Sequence, residues 1–223
     1  MSAFYALRHV ASEDAVSDRA SAPEFLHSWP ATFAATSGQN PSLLKSPSEG
    51  LQIGGLVKTE RQWSLQDILK LPRVNQIRRI VSADGWSTKG HWEGVSLKHL
   101  LDLVEPLPTA RFLKQENSQG HVEYLPLQAV LSGDYLLAHH ESEHALSALY
   151  GGPLWLLVFD RYSYKGLGHL TRLTLCEAPD EPSTSTLRGY SENGFWEPAT
   201  KVYAIDLKTF KTLDRSNQEI KLF

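Results

Sequence analysis

The strongest constraint on the fold is a continuous apolar run at residues 154–159, which follows Gly151-Gly152-Pro153. An apolar run bounded by Gly and Pro is typical of a buried strand. The run leads into Asp160-Arg161-Tyr162-Ser163-Tyr164-Lys165-Gly166, a loop of aromatic, cationic and glycine residues. Loops carried by a rigid scaffold are where binding and catalytic residues concentrate. The segment therefore predicts a core strand followed by a functional loop.

Composition and charge describe an ordinary globular protein and exclude several kinds of partner. Hydrophobic residues make up 41% and charged residues 21% of the 223 residues, which suits one large domain or two small ones. The formal net charge of -3 provides no basic surface for nucleic acid or anionic lipid. Cys176 is the only cysteine, which excludes an intrachain disulfide and a cysteine-rich metal site.

Signals for export or membrane insertion do not stand out in the sequence. The N-terminal region lacks the basic start and apolar core of a secretory signal, because Glu13, Asp14 and Asp18 come early. No apolar stretch approaches the ~20 residues that a membrane span requires. We therefore expect a cytoplasmic protein that binds neither nucleic acid nor membranes. The oligomeric state stays open.

The pattern along the chain predicts a mixed α+β domain with a β-rich core and short helices. Residues 1–48 are rich in Ala, Ser and Pro and are predicted to form an N-terminal arm, followed by a single domain at 49–223. Ser64 and Ser96 are predicted to cap short helices, and a third helix is expected near 127–131. The chain after Pro182 is expected to be irregular until a last strand at 202–205. The other predicted strands lie at residues 51–57, 77–81, 110–114, 135–138, 154–159 and 170–175.

An ordered set of short segments resembles the molybdopterin-binding domain of the sulfite oxidase superfamily. The resemblance covers roughly residues 51–205. Within the superfamily, the chain most resembles the single-domain branch that includes bacterial methionine sulfoxide reductase catalytic subunits. The resemblance implies the sulfite oxidase molybdopterin-domain fold and, in that family, a molybdopterin cofactor with molybdenum. The matching segments are Gly55-Leu56-Val57, Trp63-Ser64-Leu65, Gly85-Trp86-Ser87, Trp92-Glu93-Gly94-Val95, Tyr124-Leu125-Pro126-Leu127, Gly151-Gly152-Pro153 and Gly189-Tyr190.

Three positions depart from the pattern that the resemblance implies. Ser82 stands where the family has the cysteine that ligates molybdenum, and its hydroxyl is a harder ligand that ionises far less readily than a thiol. Trp155 replaces an arginine of the phosphate-binding signature and removes its bidentate fork. Gly166 replaces a serine after Lys165. These departures indicate that the cofactor site has been lost.

The sequence therefore predicts a protein without a cofactor that uses the old pterin cavity for a small molecule, as a repurposed enzyme or as a binding protein. The alternative is an active oxidoreductase that keeps molybdopterin with molybdenum in an atypical site. The candidate catalytic residues are His91, Lys165 and Ser82, with His91 placed in a loop beside Ser82. The candidate ligand-binding residues are Asp84, Trp86, Trp155, Arg161, Tyr162 and Tyr164.

One further motif suggests a different chemistry. His140-Glu141-Ser142-Glu143-His144 matches H-E-x-x-H, the pattern of zinc hydrolases. That pattern binds zinc only when both histidines lie on one face of a helix. The resemblance places the segment on a turn after a strand, so we predict a polar surface turn and no metal site, with a zinc hydrolase as the minor alternative.

Overall fold

Two β-sheets form the framework of the domain. The structure is a computed structural model that describes residues 50–148, 151–196, 200–204 and 209–213. The predicted N-terminal arm at 1–48 lies outside the described residues. None of the helices in the described ranges is long and apolar enough to cross a bilayer.

The first sheet has five strands in the order β2-β1-β10-β5-β6. β1 and β10 are parallel, and the other neighbours are antiparallel. These strands are β1 Gly50–Gly55, β2 Arg61–Ser64, β5 Phe112–Asn117, β6 Val122–Pro126 and β10 Leu170–Cys176.

The second sheet is organised around β4, which pairs with β3 over most of its length, with β7 near its end and with β11 at its start. β9 and β8 pair with β7, and β12 pairs with β11. The strands are β3 Arg73–Val81, β4 Trp86–Ser96, β7 Leu136–Glu141, β8 His144–Ala145, β9 Trp155–Leu157, β11 Thr200–Ala204 and β12 Thr209–Leu213.

Short helices pack against these sheets. α2 is amphipathic, and Leu97, Leu100, Leu101 and Val104 on its apolar face are all buried. It ends at Glu105, whose φ of 51° breaks the helix one residue before Pro106. The helices are α1 Leu65–Ile68, α2 Leu97–Val104, α3 Leu127–Ser132 and α4 Thr184–Leu187, with a 3-10 turn at Ser163–Lys165.

The structure confirms the predicted mixed α+β, β-rich fold and corrects it in three places. His91 lies within β4 and not in a loop. Ser96 precedes α2, but its side chain makes no capping hydrogen bond. The stretch after Pro182 contains α4, capped by Ser183, whose hydroxyl accepts from the Thr186 amide.

Ser64 provides a direct test of helix capping in this fold. Its hydroxyl accepts from the Asp67 amide, and the Asp67 carboxylate accepts from the Ser64 amide, so the two residues form a capping box. We expect Ser64→Ala to lower the free energy of unfolding by about 1 kcal/mol. Ser96→Ala is the matched control and should change it by less than about 0.5 kcal/mol, because no capping bond is lost. Urea unfolding of both variants tests this, and equal losses would contradict the assignment.

Candidate functional site

A cavity of about 160 Å³ lies where residues from both sheets meet. The turn between β3 and β4 forms one side, and the ends of β5 and β6 with α4 form another. The segments on either side of β9 complete the wall. The lining residues are Ser82, Ala83, Asp84, Trp86, Asn117, His121, Glu123, Gly151, Trp155, Ser163, Tyr164, Gly166, Leu167, Gly168, Thr184, Ser185, Arg188 and Tyr190.

The tight turn between β3 and β4 places Ser82 and Asp84 in the cavity wall. The Ser82 amide donates to the Trp86 carbonyl over 2.8 Å, and Gly85 adopts the φ of 86° that closes the turn. The Ser82 hydroxyl accepts from the Asp84 amide at 3.1 Å and donates to the Asp84 carboxylate at 3.3 Å. Ser82, predicted as catalytic, and Asp84, predicted as ligand-binding, therefore share one local hydrogen-bond network beside Trp86.

Trp155 forms an apolar part of the cavity wall. Its side chain is 6% exposed, and its indole Nε1 donates to the Gly166 carbonyl over 3.1 Å. The ring packs edge-on against Trp92, with 5.9 Å between the ring centroids. β9 pairs with β7 through Trp155 and Ala138, which fixes the backbone from which the indole projects. The residue is thus held by packing, by a hydrogen bond and by the sheet.

Gly166 is tightly enclosed beneath this tryptophan. A Cβ atom at this position would lie 2.0 Å from the Leu156 carbonyl oxygen. The backbone would have to move to remove this clash. The serine implied by the family resemblance therefore does not fit the loop as it stands.

Gly166→Ala should accordingly lower the free energy of unfolding by about 1–3 kcal/mol, as overpacking of a well-filled site does. The shift in the urea midpoint measures the effect. An unchanged midpoint would show that the loop moves freely and would contradict the close approach.

Lys165 lies in the protein interior beside the cavity and is not among the described residues that line it. It is 0% exposed, and its Nζ lies 2.8 Å from Oε2 of Glu123. Oε1 of Glu123 accepts from the Ser185 amide over 2.8 Å. Glu123 itself lines the cavity. The cation predicted to contact a ligand is therefore committed to a buried ion pair, and its carboxylate partner is the group that faces the cavity.

Arg161 and Tyr162 lie in the shell around the cavity. Arg161 is buried, donates to the Asn193 carbonyl and to the Tyr135 hydroxyl, and stacks on Phe195. The Tyr162 ring stacks on Tyr164 at 6.0 Å between centroids. These two predicted ligand-binding residues therefore lie next to the cavity but are not among the described residues that line it.

A pair of stacked tyrosines borders the cavity. Tyr164 and Tyr190 both line it, and their ring centroids are 5.0 Å apart. The Tyr164 hydroxyl donates to the Ser191 carbonyl over 2.7 Å. Burial, together with the charge of Glu123, raises the pKa of Tyr164 to about 12. The phenol is therefore neutral and provides a flat aromatic surface with a fixed orientation.

Two further titratable groups of the cavity, Asp84 and His121, have shifted pKa values. Burial raises the pKa of the Asp84 carboxyl, and the hydrogen bond from Ser82 opposes this shift. Burial and the nearby charge of Arg188 lower the pKa of His121, whose Nε2 lies 3.4 Å from the Arg188 guanidinium. Shifted acid and base groups in one cavity are typical of functional sites. Asp84 was predicted from sequence, and His121 was missed.

His91 and the H-E-x-x-H segment lie elsewhere. The His91 side chain is exposed on β4 and does not belong to the described cavity wall. His140 lies on β7 and His144 on β8, the two strands of a hairpin in which Glu141 is paired with His144. Because the segment is not helical, the spacing of the zinc hydrolase motif has no structural meaning here, in agreement with the predicted turn.

The cavity also contains residues that the sequence patterns did not single out. Glu123 directly precedes the segment starting at Tyr124 that matches the family, and Tyr190 belongs to the matching Gly189-Tyr190 pair. Their position in or beside these segments could have identified them as site residues. Asn117, His121 and Arg188 carried no signal of their own. They come to the cavity because β5, β6 and α4 meet there.

Comparison with known proteins agrees with this architecture. Residues 40–184 match the family described as the oxidoreductase molybdopterin binding domain. The chain belongs to this family. The members it resembles place it in the methionine sulfoxide reductase-like branch of the sulfite oxidase superfamily.

Two curated relatives are catalytic subunits of protein-methionine-sulfoxide reductase named MsrP. The Campylobacter jejuni protein is 27% identical over 165 residues, and the match covers 66% of this chain and 54% of that protein. The Gluconobacter oxydans protein is 26% identical over 164 residues, with 66% and 52% covered. This chain therefore spans about half the length of these relatives.

A solved structure has the same fold. It is the sulfane dehydrogenase SoxCD of Paracoccus pantotrophus, with a TM-score of 0.57 and 21% sequence identity over 62% of this chain and 41% of that chain. At this identity the likeness concerns the fold, which is that of the sulfite oxidase-like molybdopterin domain.

Proposed function

We propose that this domain has lost the molybdenum centre of its family and uses the remaining cavity to bind a small molecule that is uncharged or rich in aromatic groups. The observation that carries the proposal is the position of Trp155. The indole occupies the cavity wall at the position where the family resemblance implies a phosphate-binding arginine. An apolar ring cannot replace the bidentate charge-assisted hydrogen bonds of a guanidinium.

The ligand chemistry of the cavity supports the same proposal. Ser82 offers a hard hydroxyl oxygen that already exchanges hydrogen bonds with Asp84, whereas a thiolate is the soft ligand that the family uses. Cys176, the only cysteine, ends β10 away from the described cavity wall, and burial raises the pKa of its thiol. The donor set thus fits a molybdenum dithiolene centre poorly.

The small size of the cavity and the lack of excess positive charge in its described wall suit a small ligand without a phosphate. Asp84 and Glu123 bring two carboxyl groups to the described wall, where Arg188 brings a guanidinium and Lys165 is paired with Glu123 from behind the wall. The cavity volume of about 160 Å³ is below the ~300–1,000 Å³ typical of pockets for drug-sized ligands. The tyrosine pair and Trp155 provide flat apolar surfaces. A planar molecule with a few hydrogen-bonding groups matches this combination.

The cavity also has groups that can move protons. Burial raises the pKa of Asp84 and lowers the pKa of His121, which makes the two groups candidates for an acid and a base. A repurposed enzyme would use this pair for acid and base catalysis. A binding protein would use the same groups only as hydrogen-bond partners.

Fragment binding tests the ligand preference. Indole and phenyl phosphate, an uncharged and a phosphorylated aromatic fragment, are titrated separately while the NMR chemical shifts of the protein are followed. We expect phenyl phosphate to bind at least about tenfold more weakly than indole, because the described wall has no excess positive charge to offset the desolvation of the dianion. Tyr190→Ala should weaken indole binding, and Phe210→Ala, at an exposed residue of β12 outside the described cavity wall, serves as control. Tighter binding of phenyl phosphate would overturn the proposal.

The competing function is a molybdopterin-dependent oxidoreductase, which the kinship with the MsrP catalytic subunits favours. It requires an atypical metal site with Ser82 or with no protein ligand. The metal content of the protein separates the two functions.

A further inference from the structure

A second cluster of potential ligand atoms lies outside the described cavity wall. Glu93 on β4 and His139 and His140 on β7 each offer one donor atom, and these atoms all lie within 4.8 Å of one another. The Nδ1 atoms of the two histidines are 2.6 Å apart. The cluster uses only one residue, His140, of the H-E-x-x-H segment, and none of the three lines the cavity as described.

A β-bulge explains why two successive histidines share one face. In a regular strand, neighbouring side chains point to opposite faces of the sheet. Here Glu93 pairs with His140 while Gly94 pairs with Ala138, so His139 is an extra residue in β7. Such a bulge redirects side chains and is frequent beside functional sites. It brings His139 to the face on which Glu93 and His140 already lie as a cross-strand pair.

The surroundings hold the three side chains in place. His139 is 3% exposed, and burial lowers its pKa to about 4. His140 and Glu93 are half-buried, which leaves the cluster open on one side. Nη1 of Arg73 lies 2.7 Å from Oε1 of Glu93. A partner of this kind fixes the orientation of a ligating carboxylate, and the ion pair with Arg73 occupies only one of its two oxygens.

We propose that Glu93, His139 and His140 bind a divalent transition-metal ion of the zinc class. Two imidazole nitrogens and a carboxylate oxygen form a donor set that suits Zn²⁺ and its neighbours, and three protein ligands leave a position open for water. With Zn–N bonds of about 2.0–2.1 Å and tetrahedral angles, the two nitrogens need to be about 3.3 Å apart. Small rotations of the two rings would open their present separation to that value.

Zinc binding to untagged protein, after dialysis against a chelator, tests the site. Isothermal titration calorimetry with Zn²⁺ is expected to show one ion per chain, and Co²⁺ should give a visible absorption spectrum of a four- or five-coordinate site. Glu93→Gln and His140→Ala should each weaken Zn²⁺ binding by about 100-fold, because each removes a direct ligand. Removal of a residue that only hydrogen-bonds to a ligand typically weakens metal binding by about 10–100-fold. His144→Ala and His91→Ala are matched controls on the same sheet and should stay within about twofold.

Folding and competing sites are separated by the same experiment. Circular dichroism and thermal unfolding of each metal-free variant report whether the fold persists, and the Co²⁺ spectrum of the wild-type protein tests the site without any substitution. Absence of the spectrum, or zinc binding that Glu93→Gln and His140→Ala leave unchanged, would overturn the proposal. Loss of binding in His144→Ala with retention in Glu93→Gln would overturn it in favour of the H-E-x-x-H segment.

Discussion

Lys165→Met is expected to lower the free energy of unfolding by about 3–5 kcal/mol, because it leaves the carboxylate of Glu123 buried without its cation. The Lys165 and Glu123 side chains are only 1% and 2% exposed, and their charged atoms lie 2.8 Å apart. Among the described residues, the Ser185 amide is the donor that remains to that carboxylate, and one hydrogen bond compensates a buried charge only in part. Urea unfolding measures the loss.

The matched control is the exposed pair formed by Lys58 and Glu105. Their charged atoms lie 2.6 Å apart, and the side chains are 61% and 58% exposed. Lys58→Met should change the free energy of unfolding by less than about 1 kcal/mol, because water replaces the lost partner. The double variant Lys165→Met/Glu123→Gln should recover most of the stability. Equal effects of the two lysine substitutions would contradict the buried ion pair.

Trp155→Ala is expected to lower the free energy of unfolding by about 3–5 kcal/mol, as removal of a buried tryptophan leaves a large void. The substitution removes the contact with Trp92 and the hydrogen bond to the Gly166 carbonyl. It also enlarges the cavity at the wall that we assign to ligand binding. Urea unfolding of the variant measures the loss of stability.

Trp155→Phe separates packing from hydrogen bonding. The phenyl ring retains much of the apolar contact and lacks the indole donor, so the expected loss is about 1–3 kcal/mol. A loss for Trp155→Ala of under about 1 kcal/mol would show that the indole is not packed as described. It would also remove the observation on which the proposed function rests.

The parts of the fold that could be predicted are those in which local pattern and tertiary packing agree. The spacing of Leu97, Leu100, Leu101 and Val104 predicts the buried face of α2, and all four are buried. The apolar run before Asp160 predicts a core strand, which the structure contains as β9. Several missed elements were short or polar. β2 and α4 have four residues each, and β8 has two.

β4 shows why a long strand can be missed. Its eleven residues include Lys89, Gly90 and His91, which weaken the alternation that identifies a strand. The strand forms because β3, β7 and β11 supply its hydrogen-bond partners, and these contacts are distant in sequence. The wrong loop placement of His91 follows from the same cause.

The candidate site was predictable where one loop carries several of its residues. Ser82, Asp84 and Trp86 come from one turn, and the resemblance identified that turn. The environment of Lys165 was not predictable, because its partner Glu123 comes from β6, which no pattern placed beside it. The cluster of Glu93, His139 and His140 depends on a bulge, and the only local signal was the pair of adjacent histidines.

The molybdenum content of the protein tests the central claim most directly. The chain is produced without a tag in a host that makes the molybdenum cofactor, and metal is measured by mass spectrometry alongside the pterin released on denaturation. A molybdenum enzyme of the host itself, purified and analysed in parallel, is the positive control. The proposed function predicts molybdenum far below one atom per chain and no released pterin. Molybdenum near one atom per chain, together with a released pterin, would contradict it and establish the oxidoreductase alternative.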